Sequence, residues 1–398
     1  MQVKIERFDD LGRGISYINN KVTFIDKVVP EDIVEVELTK EKKKYNEAKL
    51  IKIIKPSPLR IDAKCPYFSK CGGCQFQNIT YENTIKYKKE KIVNIFSKHK
   101  ISIFPEVITN TNPYNYRNKI TLKVNNYKIG FYINKTHNLV EINKCLLANP
   151  AINASIPLIK RFNICNGEVT IRCNQNAEIL IVINSQDNLN IDTNYLKSKI
   201  KLVGIVVNNK TYYGENSLFE RMNNLLFKIS YDSFFQVNPF IASQLFQIIG
   251  DNIDSSDKVL DLYCGVGTLS LMAAKKAQKV LGIEVVPNAI INALFNARIN
   301  DLNNTQFVIN DASTAISKIK PDFNKIIVDP PRSGLTKNII DVLLKIKPDE
   351  IIYVSCDPQT LVRDFTLLSS IYEIKKSYIL DMFSYTYHIE CVCLLKLR

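Results

Sequence analysis

No apolar run in the sequence approaches the roughly 20 residues that a membrane-spanning helix needs. The first residues, MQVKIERFDD, do not show the charged and then apolar pattern of a secretory leader. Internal repeats and long low-complexity tracts are missing as well. We therefore expect a soluble cytoplasmic protein that makes no membrane contact, and we further expect a monomer.

Acidic residues are scarce relative to basic ones, with 39 Asp and Glu against 53 Lys and Arg and a formal net charge of +14. Such an excess is typical of proteins that bind nucleic acids, although a basic enzyme with another kind of substrate would also show it. In a reducing compartment, the ten cysteines indicate metal ligation, catalysis or plain burial rather than disulfides. The 398 residues exceed one ordinary core, so we expect two or three domains.

The first two of three predicted regions meet at Pro56 and Pro58, which interrupt the strand pattern. Short strand-forming segments in residues 1–57 predict a small β-barrel of the OB type. Its lysine-rich turn, KEKKKY, is either solvated or a phosphate contact. Residues 58–225 predict a central α+β region, in which NPYNYRNKITLKV combines tyrosine rings with cations, as suits unpaired bases and phosphates.

The third region, residues 226–398, alternates strands with helices. We expect strands at KVLDL, KVLGIE, TQFVIN, KIIVDP and EIIYVS. Helices should begin near Thr268, Pro287, Ala312, Asn338 and Pro358. This alternation predicts an α/β Rossmann-like fold with a mostly parallel sheet. YEIKKSYILDMF and HIECVCLLKLR lack a crossover helix between them and predict an antiparallel pair at the C-terminal edge, an ending seen in many methyltransferases.

A glycine-containing loop, VLDLYCGVGTLSL, follows the first of these strands. Asp261 ends the strand, and Gly265 and Gly267 allow the backbone to approach a ligand closely. The third glycine of the dinucleotide-binding motif is absent, which disfavours a nicotinamide oxidoreductase. The loop therefore suits a cofactor without phosphates.

The next two strands also end on polar residues. Glu284 lies 23 residues after Asp261 and can accept hydrogen bonds from both ribose hydroxyls, and Asn310 and Asp311 suit an adenine edge. This ordered set of strand ends favours S-adenosylmethionine, although a single acidic strand end is more often a helix cap.

Two further strand ends indicate the reaction. Asp329 in IIVDPPRSGL resembles the Asp-Pro-Pro loop of amino-group methyltransferases, but Arg332 occupies the position of their aromatic ring, which disfavours an exocyclic amine as the target. Cys356 ends the following strand on the same edge of the sheet. Because C5 of uracil is a weak nucleophile, its methylation requires a thiolate that adds at C6 and a base that removes the C5 proton. In YTYHIECVC we favour Glu390 over His388 as that base.

The motifs SFFQVNPF, DLYCGVGTLSL, IEVVPNAI, VDPPRSGL, YVSCDPQTLVRD and HIECV together resemble the bacterial RNA (uracil-5-)methyltransferase family. The resemblance spans nearly the whole chain and is to the branch that makes 5-methyluridine in 23S ribosomal RNA. It implies Cys356 as nucleophile and Glu390 as proton acceptor. It also implies a TRAM-type RNA-binding barrel at the N-terminus, and it implies a set of cofactor-binding and base-binding residues: Gln236, Tyr263, Glu284 and Asp329.

CPYFSKCGGCQFQ places Cys65, Cys71 and Cys74 close together. Three thiolates need a fourth ligand for either a tetrahedral zinc or a [4Fe-4S] cube, and the local sequence offers none. The resemblance implies Cys145 as the fourth ligand and [4Fe-4S] as the group bound.

The cysteine motif and the barrel are similar to those of the ribosomal branch, and the transfer-RNA enzymes of the family usually lack both. We therefore expect 23S rRNA as the substrate, with its uridine flipped out of the RNA stack. Transfer RNA is the alternative substrate. A non-catalytic RNA-binding or iron-sulfur protein is the contrasting hypothesis, and it would predict loss of the cysteine, the base or the cofactor acid, all of which are present.

Overall fold

The computed structural model describes residues 1–319 and 322–398. Within these residues the chain forms an N-terminal barrel, a central sheet, a two-stranded hairpin and a large C-terminal sheet flanked by helices. No described helix is long and apolar enough to cross a membrane.

The N-terminal region is a six-stranded sheet in which β4 and β6 pair in parallel and all other neighbours are antiparallel. Val34 and Val36 point inward between exposed glutamates, which is the alternation that a half-buried strand requires. The strands, in chain order, are β1 (Gln2–Lys4), β2 (Arg7–Phe8), β3 (Gly14–Ile18), β4 (Lys21–Ile25), β5 (Ile33–Glu41) and β6 (Tyr45–Lys55).

Helix α1 (Tyr81–Lys98) and strand β7 (Glu106–Ile108) lead from the barrel into a central seven-stranded sheet. Its core consists of isoleucine, leucine and valine side chains packed under helix α2. The elements are β8 (Lys119–Asn125), β9 (Lys128–Tyr132), β10 (Leu139–Glu141), α2 (Pro150–Ile159), β11 (Asn166–Cys173), β12 (Glu178–Asn184), α3 (Thr193–Lys199), β13 (Lys201–Val207) and β14 (Lys210–Gly214).

The C-terminal body begins with a hairpin and continues as alternating strands and helices. The elements are β15 (Ser217–Met222), β16 (Leu225–Ser230), α4 (Pro239–Asp251), β17 (Lys258–Leu262), α5 (Thr268–Ala274), β18 (Lys279–Glu284), α6 (Pro287–Ile299), β19 (Thr305–Ile309), α7 (Ala312–Ile316), β20 (Lys325–Val328), α8 (Lys337–Ile346), β21 (Glu350–Ser355), α9 (Pro358–Leu368), β22 (Tyr372–Leu380) and β23 (Glu390–Leu397). Four of the five expected helix starts agree with these bounds, and α8 begins one residue before Asn338.

The strand order of the large sheet is β19-β18-β17-β20-β21-β23-β22-β7. The pairs from β19 to β21 are parallel, and β23 lies antiparallel between β21 and β22. Successive residues of β20 enter opposite core layers, Ile327 on one face and Ile326 and Val328 on the other. The sheet is therefore covered by helices on both faces, as the α/β prediction requires.

Two segments pack differently from the expected domain division. Helix α1, placed at the sequence level in the central region 58–225, contributes Ile92, Ile95 and Phe96 to the core of the large sheet. Strand β7 pairs in parallel with β22, so it adds one more strand outside the predicted antiparallel pair. The apolar residues along one side of α1 predict a buried face, but they do not indicate which sheet that face packs against.

Candidate active site

Strand register brings the predicted nucleophile and base together. Ser355 pairs with Cys391 across β21 and β23, so Cys356 follows one strand at the level where Glu390 begins its antiparallel neighbour. Asp329 follows β20, which pairs with β21 on the other side. All three side chains therefore lie at the carboxyl edge of the parallel strands, where open α/β sheets bind ligands.

The thiol of Cys356 is surrounded mainly by acidic groups. Burial raises its pKa to about 11, and the nearby carboxylates of Glu390 and Asp329 act in the same direction. Arg332 opposes them and favours the thiolate. The thiol is therefore protonated in the free protein at neutral pH, and Arg332 is the cation that supports its ionisation.

Glu390 is only 3% exposed, and its burial raises its pKa well above the ordinary range, with Asp329 adding to the effect. Burial also raises the pKa of Asp329 to about 6. A carboxylate with a raised pKa is a stronger proton acceptor than a solvated one, which suits a general base working near neutral pH.

His388 has the opposite electrostatic character. Burial lowers its pKa to about 4, and the positive charge of Arg332 contributes. The Arg332 guanidinium lies 3.3 Å from Nδ1 of His388, and the imidazole ring lies 4.1 Å from the Tyr387 ring. His388 is therefore neutral at pH 7 and a weaker base than Glu390.

Asp261 lies in β17 just before the glycine-containing loop, and its side chain is fully buried. Ser270 donates its hydroxyl to Oδ2 of Asp261 at 2.5 Å, and burial raises the pKa of this carboxyl to about 7. Among the described residues, Oδ1 of Asp261 has no hydrogen-bond partner. Tyr263, Gly265 and Gly267 all have positive φ, at 70°, 56° and 85°. The loop thus keeps a left-handed path even at one non-glycine position, which is typical of functional loops.

Glu284 lies at the end of β18, opposite this loop. Its carboxylate accepts hydrogen bonds from the backbone N–H groups of Gly265 at 3.2 Å, Val285 at 2.8 Å and Val286 at 2.9 Å. Val285 and Val286 expose their apolar side chains. An oriented carboxylate, an apolar surface and a glycine loop without Lys or Arg fit a nucleoside cofactor that has no phosphates.

Asp311 and Gln236 both make structural contacts. Asp311 caps α7 by accepting the Thr314 N–H at 3.0 Å. Gln236 is 8% exposed, and its backbone carbonyl accepts the Asn118 amide at 3.2 Å. Asn118 comes from the central sheet, so this sheet helps to hold the segment that carries Gln236. Only the tertiary structure reveals that contact.

The four predicted metal ligands, Cys65, Cys71, Cys74 and Cys145, line one cavity of about 140 Å³. Burial raises the thiol pKa of three of them, to about 12 for Cys74. Lys27 of the barrel donates to the backbone carbonyls of Cys71 at 3.0 Å and Cys74 at 2.6 Å, which ties the barrel to this segment.

Across residues 1–319 and 322–398, no group of three His, Cys, Asp or Glu side chains is placed to hold a single metal ion. Zinc would require all its sulfur ligands within about 2.3 Å of one point. A [4Fe-4S] cluster binds one cysteine per iron, so its four cysteine sulfurs lie farther apart than the sulfur ligands of a single zinc. The four cysteines share one cavity, and they are the donor set that either group would use.

Comparison with known proteins agrees with this geometry. The family model for tRNA (uracil-5-)-methyltransferases matches residues 182–398. The chain belongs to this family. The TRAM domain model matches residues 1–51, which confirms the predicted character of the barrel.

Relatives of this methyltransferase are similar over almost their whole length. An uncharacterized RNA methyltransferase of Clostridium acetobutylicum is 32% identical over 99% of this chain and 96% of its own. One from Aquifex aeolicus is 33% identical over 100% of this chain and 99% of its own. The crystal structure of Pyrococcus abyssi tRNA (uracil-54, C5)-methyltransferase with S-adenosyl-L-homocysteine covers 99% of this chain and all of that one, with 26% identity and a TM-score of 0.83. The protein is thus an S-adenosylmethionine-dependent RNA methyltransferase, as predicted.

Proposed function

We propose that the protein methylates C5 of a uridine in folded RNA through a covalent bond between Cys356 and C6 of the base. The observation that carries the proposal is the pairing of β21 with β23, which sets a thiol and a buried carboxylate at one sheet edge. Uracil C5 chemistry requires that combination.

The residues divide the reaction between them. Cys356 loses its thiol proton to solvent, the thiolate adds to C6, and the electron pair moves to C5 as an enolate. S-adenosylmethionine, when bound, would supply the methyl group to C5 and would leave as S-adenosylhomocysteine. Glu390 then accepts the C5 proton, the C5–C6 double bond re-forms and the thiolate leaves. Arg332 supports the thiolate before addition, since it lowers the pKa of Cys356.

Four further residues would bind the cofactor and the uracil. Glu284 faces the glycine loop with its carboxylate already oriented, and Tyr263 lies in the left-handed turn of that loop. Asp329 follows β20, the parallel neighbour of β21, and Gln236 is 8% exposed. We assign all four residues to one set that binds the cofactor and the base.

We infer that Cys65, Cys71, Cys74 and Cys145 would hold a [4Fe-4S] cluster, and the observation behind this inference is the cavity that they share. Methyl transfer needs no redox step, so the cluster would stabilise the segment between barrel and catalytic sheet. Equal amounts of iron and acid-labile sulfide in anaerobically purified protein would support the cluster, and zinc in their place would contradict it. We also propose that the protein acts as a cytoplasmic monomer.

For the RNA substrate we propose 23S rRNA, on the resemblance of the barrel and cysteine motif to the ribosomal branch. Transfer RNA is the second candidate, and a specific observation favours it. The Pyrococcus transfer-RNA enzyme matches this chain over its full length, so its fold includes counterparts of the barrel and the cysteine region. This shared fold supports transfer RNA as the second candidate.

The test is to incubate the anaerobically purified protein with methyl-labelled S-adenosylmethionine and either unmodified 23S rRNA or unmodified transfer RNA. Labelled 5-methyluridine in the rRNA supports the full proposal. Label in transfer RNA alone keeps the chemistry and replaces the substrate. No label in either RNA, from protein with an intact cluster, contradicts the proposal and favours a non-catalytic RNA-binding protein.

A further inference from the structure

The connection between β22 and β23, residues 381–389, ends at Glu390 and packs against the cysteine segment. The backbone N–H groups of Gln75 and Phe76 both donate to the carbonyl of Tyr385, at 3.0 and 3.1 Å. Gln75 directly follows Cys74 in the chain. The segment that lines the cysteine cavity therefore contacts the connection that carries the proposed base.

The side chain of Gln75 makes a second bridge between the same two segments. Its Oε1 accepts the backbone N–H of Tyr387 at 3.4 Å, and its Nε2 donates to the carbonyl of Gly72 at 3.1 Å. One end of this amide therefore holds the cysteine segment, and the other holds the residue that precedes His388.

The connection needs such support because its backbone is strained. Tyr385 has a φ of 58°, a left-handed conformation that is unfavourable for an L-residue. Its ring is buried between Tyr114, at a centroid distance of 5.0 Å, and Tyr81, at 5.8 Å. Strain of this kind persists only where the surroundings over-determine it.

The two halves of the connection have different anchors. The first half is held by the buried pair of Lys88 and Asp381, whose charged atoms lie 2.6 Å apart. The second half is held through Tyr387, whose N–H meets Gln75 and whose carbonyl accepts Lys91 at 3.3 Å. Gln75 is thus the side-chain acceptor for the backbone three residues before Glu390.

We propose that Gln75 is a positioning residue for the general base. Through the Tyr387 N–H it sets the path of the backbone that delivers Glu390 to the C5 proton. It touches neither substrate nor cofactor in this role. The inference rests on the proposed function, because it takes Glu390 as the group that removes that proton.

The test compares Gln75→Ala with Gln75→Glu. The alanine variant loses both side-chain hydrogen bonds. The glutamate variant loses the donor to Gly72 but keeps an oxygen for Tyr387. Gln247→Ala, which removes an exposed glutamine of α4, is the control. Each variant is mixed with methyl-labelled S-adenosylmethionine and the RNA, ribosomal or transfer, that the wild-type protein methylates.

Time points are run on a denaturing gel to separate covalent protein–RNA adduct from released methylated RNA. Removal of the C5 proton is the step that resolves the adduct. Gln75→Ala should therefore form the adduct at the wild-type rate and resolve it about tenfold more slowly, as expected for the loss of one oriented contact. RNA deuterated at C5 should show a larger isotope effect in this variant. Gln75→Glu and Gln247→Ala should stay within about twofold of wild type.

Equal slowing of adduct formation and resolution in Gln75→Ala would overturn the inference, since a general structural defect has that effect. So would unchanged resolution, or a glutamate variant as slow as the alanine variant. If the wild-type protein makes no 5-methyluridine, the proposed function fails and the inference fails with it. If the wild-type protein is active but Gln75→Ala accumulates no adduct, the inference about Gln75 fails and the proposed function stands.

Discussion

The buried ion pair of Lys88 and Asp381 predicts a large loss of stability when either partner is replaced. Lys88 Nζ lies 2.6 Å from Asp381 Oδ1, and both side chains are 1% exposed. Lys88 also donates to the carbonyl of Phe383 at 3.0 Å, and Asp381 accepts the hydroxyls of Tyr81 and Ser384. Burial alone would raise the pKa of Asp381, but the cation of Lys88 outweighs it and the net pKa is lowered.

Replacing Lys88 by methionine keeps the unbranched chain but shortens it by one atom, and it leaves the Asp381 carboxylate without a cation. Breaking a buried pair in this way costs about 3–5 kcal/mol of unfolding free energy. Asp381→Asn should cost a similar amount because it leaves the ammonium unpaired. The double variant removes both charges, so it should lose only about 0–2 kcal/mol.

The assay is urea unfolding followed by far-ultraviolet circular dichroism, since the chain has no tryptophan to report by fluorescence. Lys89→Met is the control, because Lys89 is the exposed neighbour on the same helix and should change stability by less than about 0.5 kcal/mol. A loss of less than about 1 kcal/mol of unfolding free energy in Lys88→Met would contradict this prediction. A double variant that loses as much as the two single variants added together would also contradict it.

Three further predictions concern the site. Burial raises the pKa of Asp261 from 3.8 to about 7, so between these pH values the folded state holds a proton that the unfolded chain has released. The unfolding free energy of the wild type should therefore fall, relative to that of Asp261→Asn, by about 1.4 kcal/mol per pH unit from pH 4 to pH 7 and stay level above pH 7. Parallel curves for the two proteins in urea titrations would contradict this prediction. Gly267→Ala should weaken S-adenosylmethionine binding in calorimetry, since φ is 85° and the new Cβ would lie 3.2 Å from that of Ala293; unchanged binding would contradict a strained loop. Glu390→Gln should transfer the methyl group and then stall as a covalent RNA adduct on a denaturing gel, whereas normal turnover would remove Glu390 from its role.

The strands and helices of the large sheet could be predicted from the sequence because each of them is encoded by residues that are neighbours in the chain. Strands such as KVLDL and EIIYVS are short apolar runs bounded by turns, and helix starts carry prolines, as at Pro287 and Pro358. The alternation of strands with helices then predicts a parallel sheet, and the carboxyl ends of parallel strands lie at one edge of the sheet. Asp329 and Cys356 could be placed at that edge without any structure.

The remaining features depend on contacts between distant segments. The packing of α1 on the large sheet and the pairing of β7 with β22 join residues about 270 positions apart, which no local period encodes. Cys145 follows Cys74 by 71 residues, and spacing alone could not join it to the cavity. Gln75 reads as an ordinary polar residue beside a cysteine, and only the fold shows its contact with Tyr387.

The most direct test of the account is to identify the atom that attacks the base. In RNA with 5-fluorouridine in place of uridine, the carbon at C5 carries no proton for Glu390 to remove, so the methylated adduct cannot resolve. The protein is incubated with this RNA and S-adenosylmethionine, digested with protease and nuclease, and examined by peptide mass spectrometry. We expect a methylated fluorouridine nucleotide on the peptide that contains Cys356, and none with Cys356→Ala. A nucleotide on another cysteine, or no covalent product from protein that methylates ordinary RNA, would contradict it.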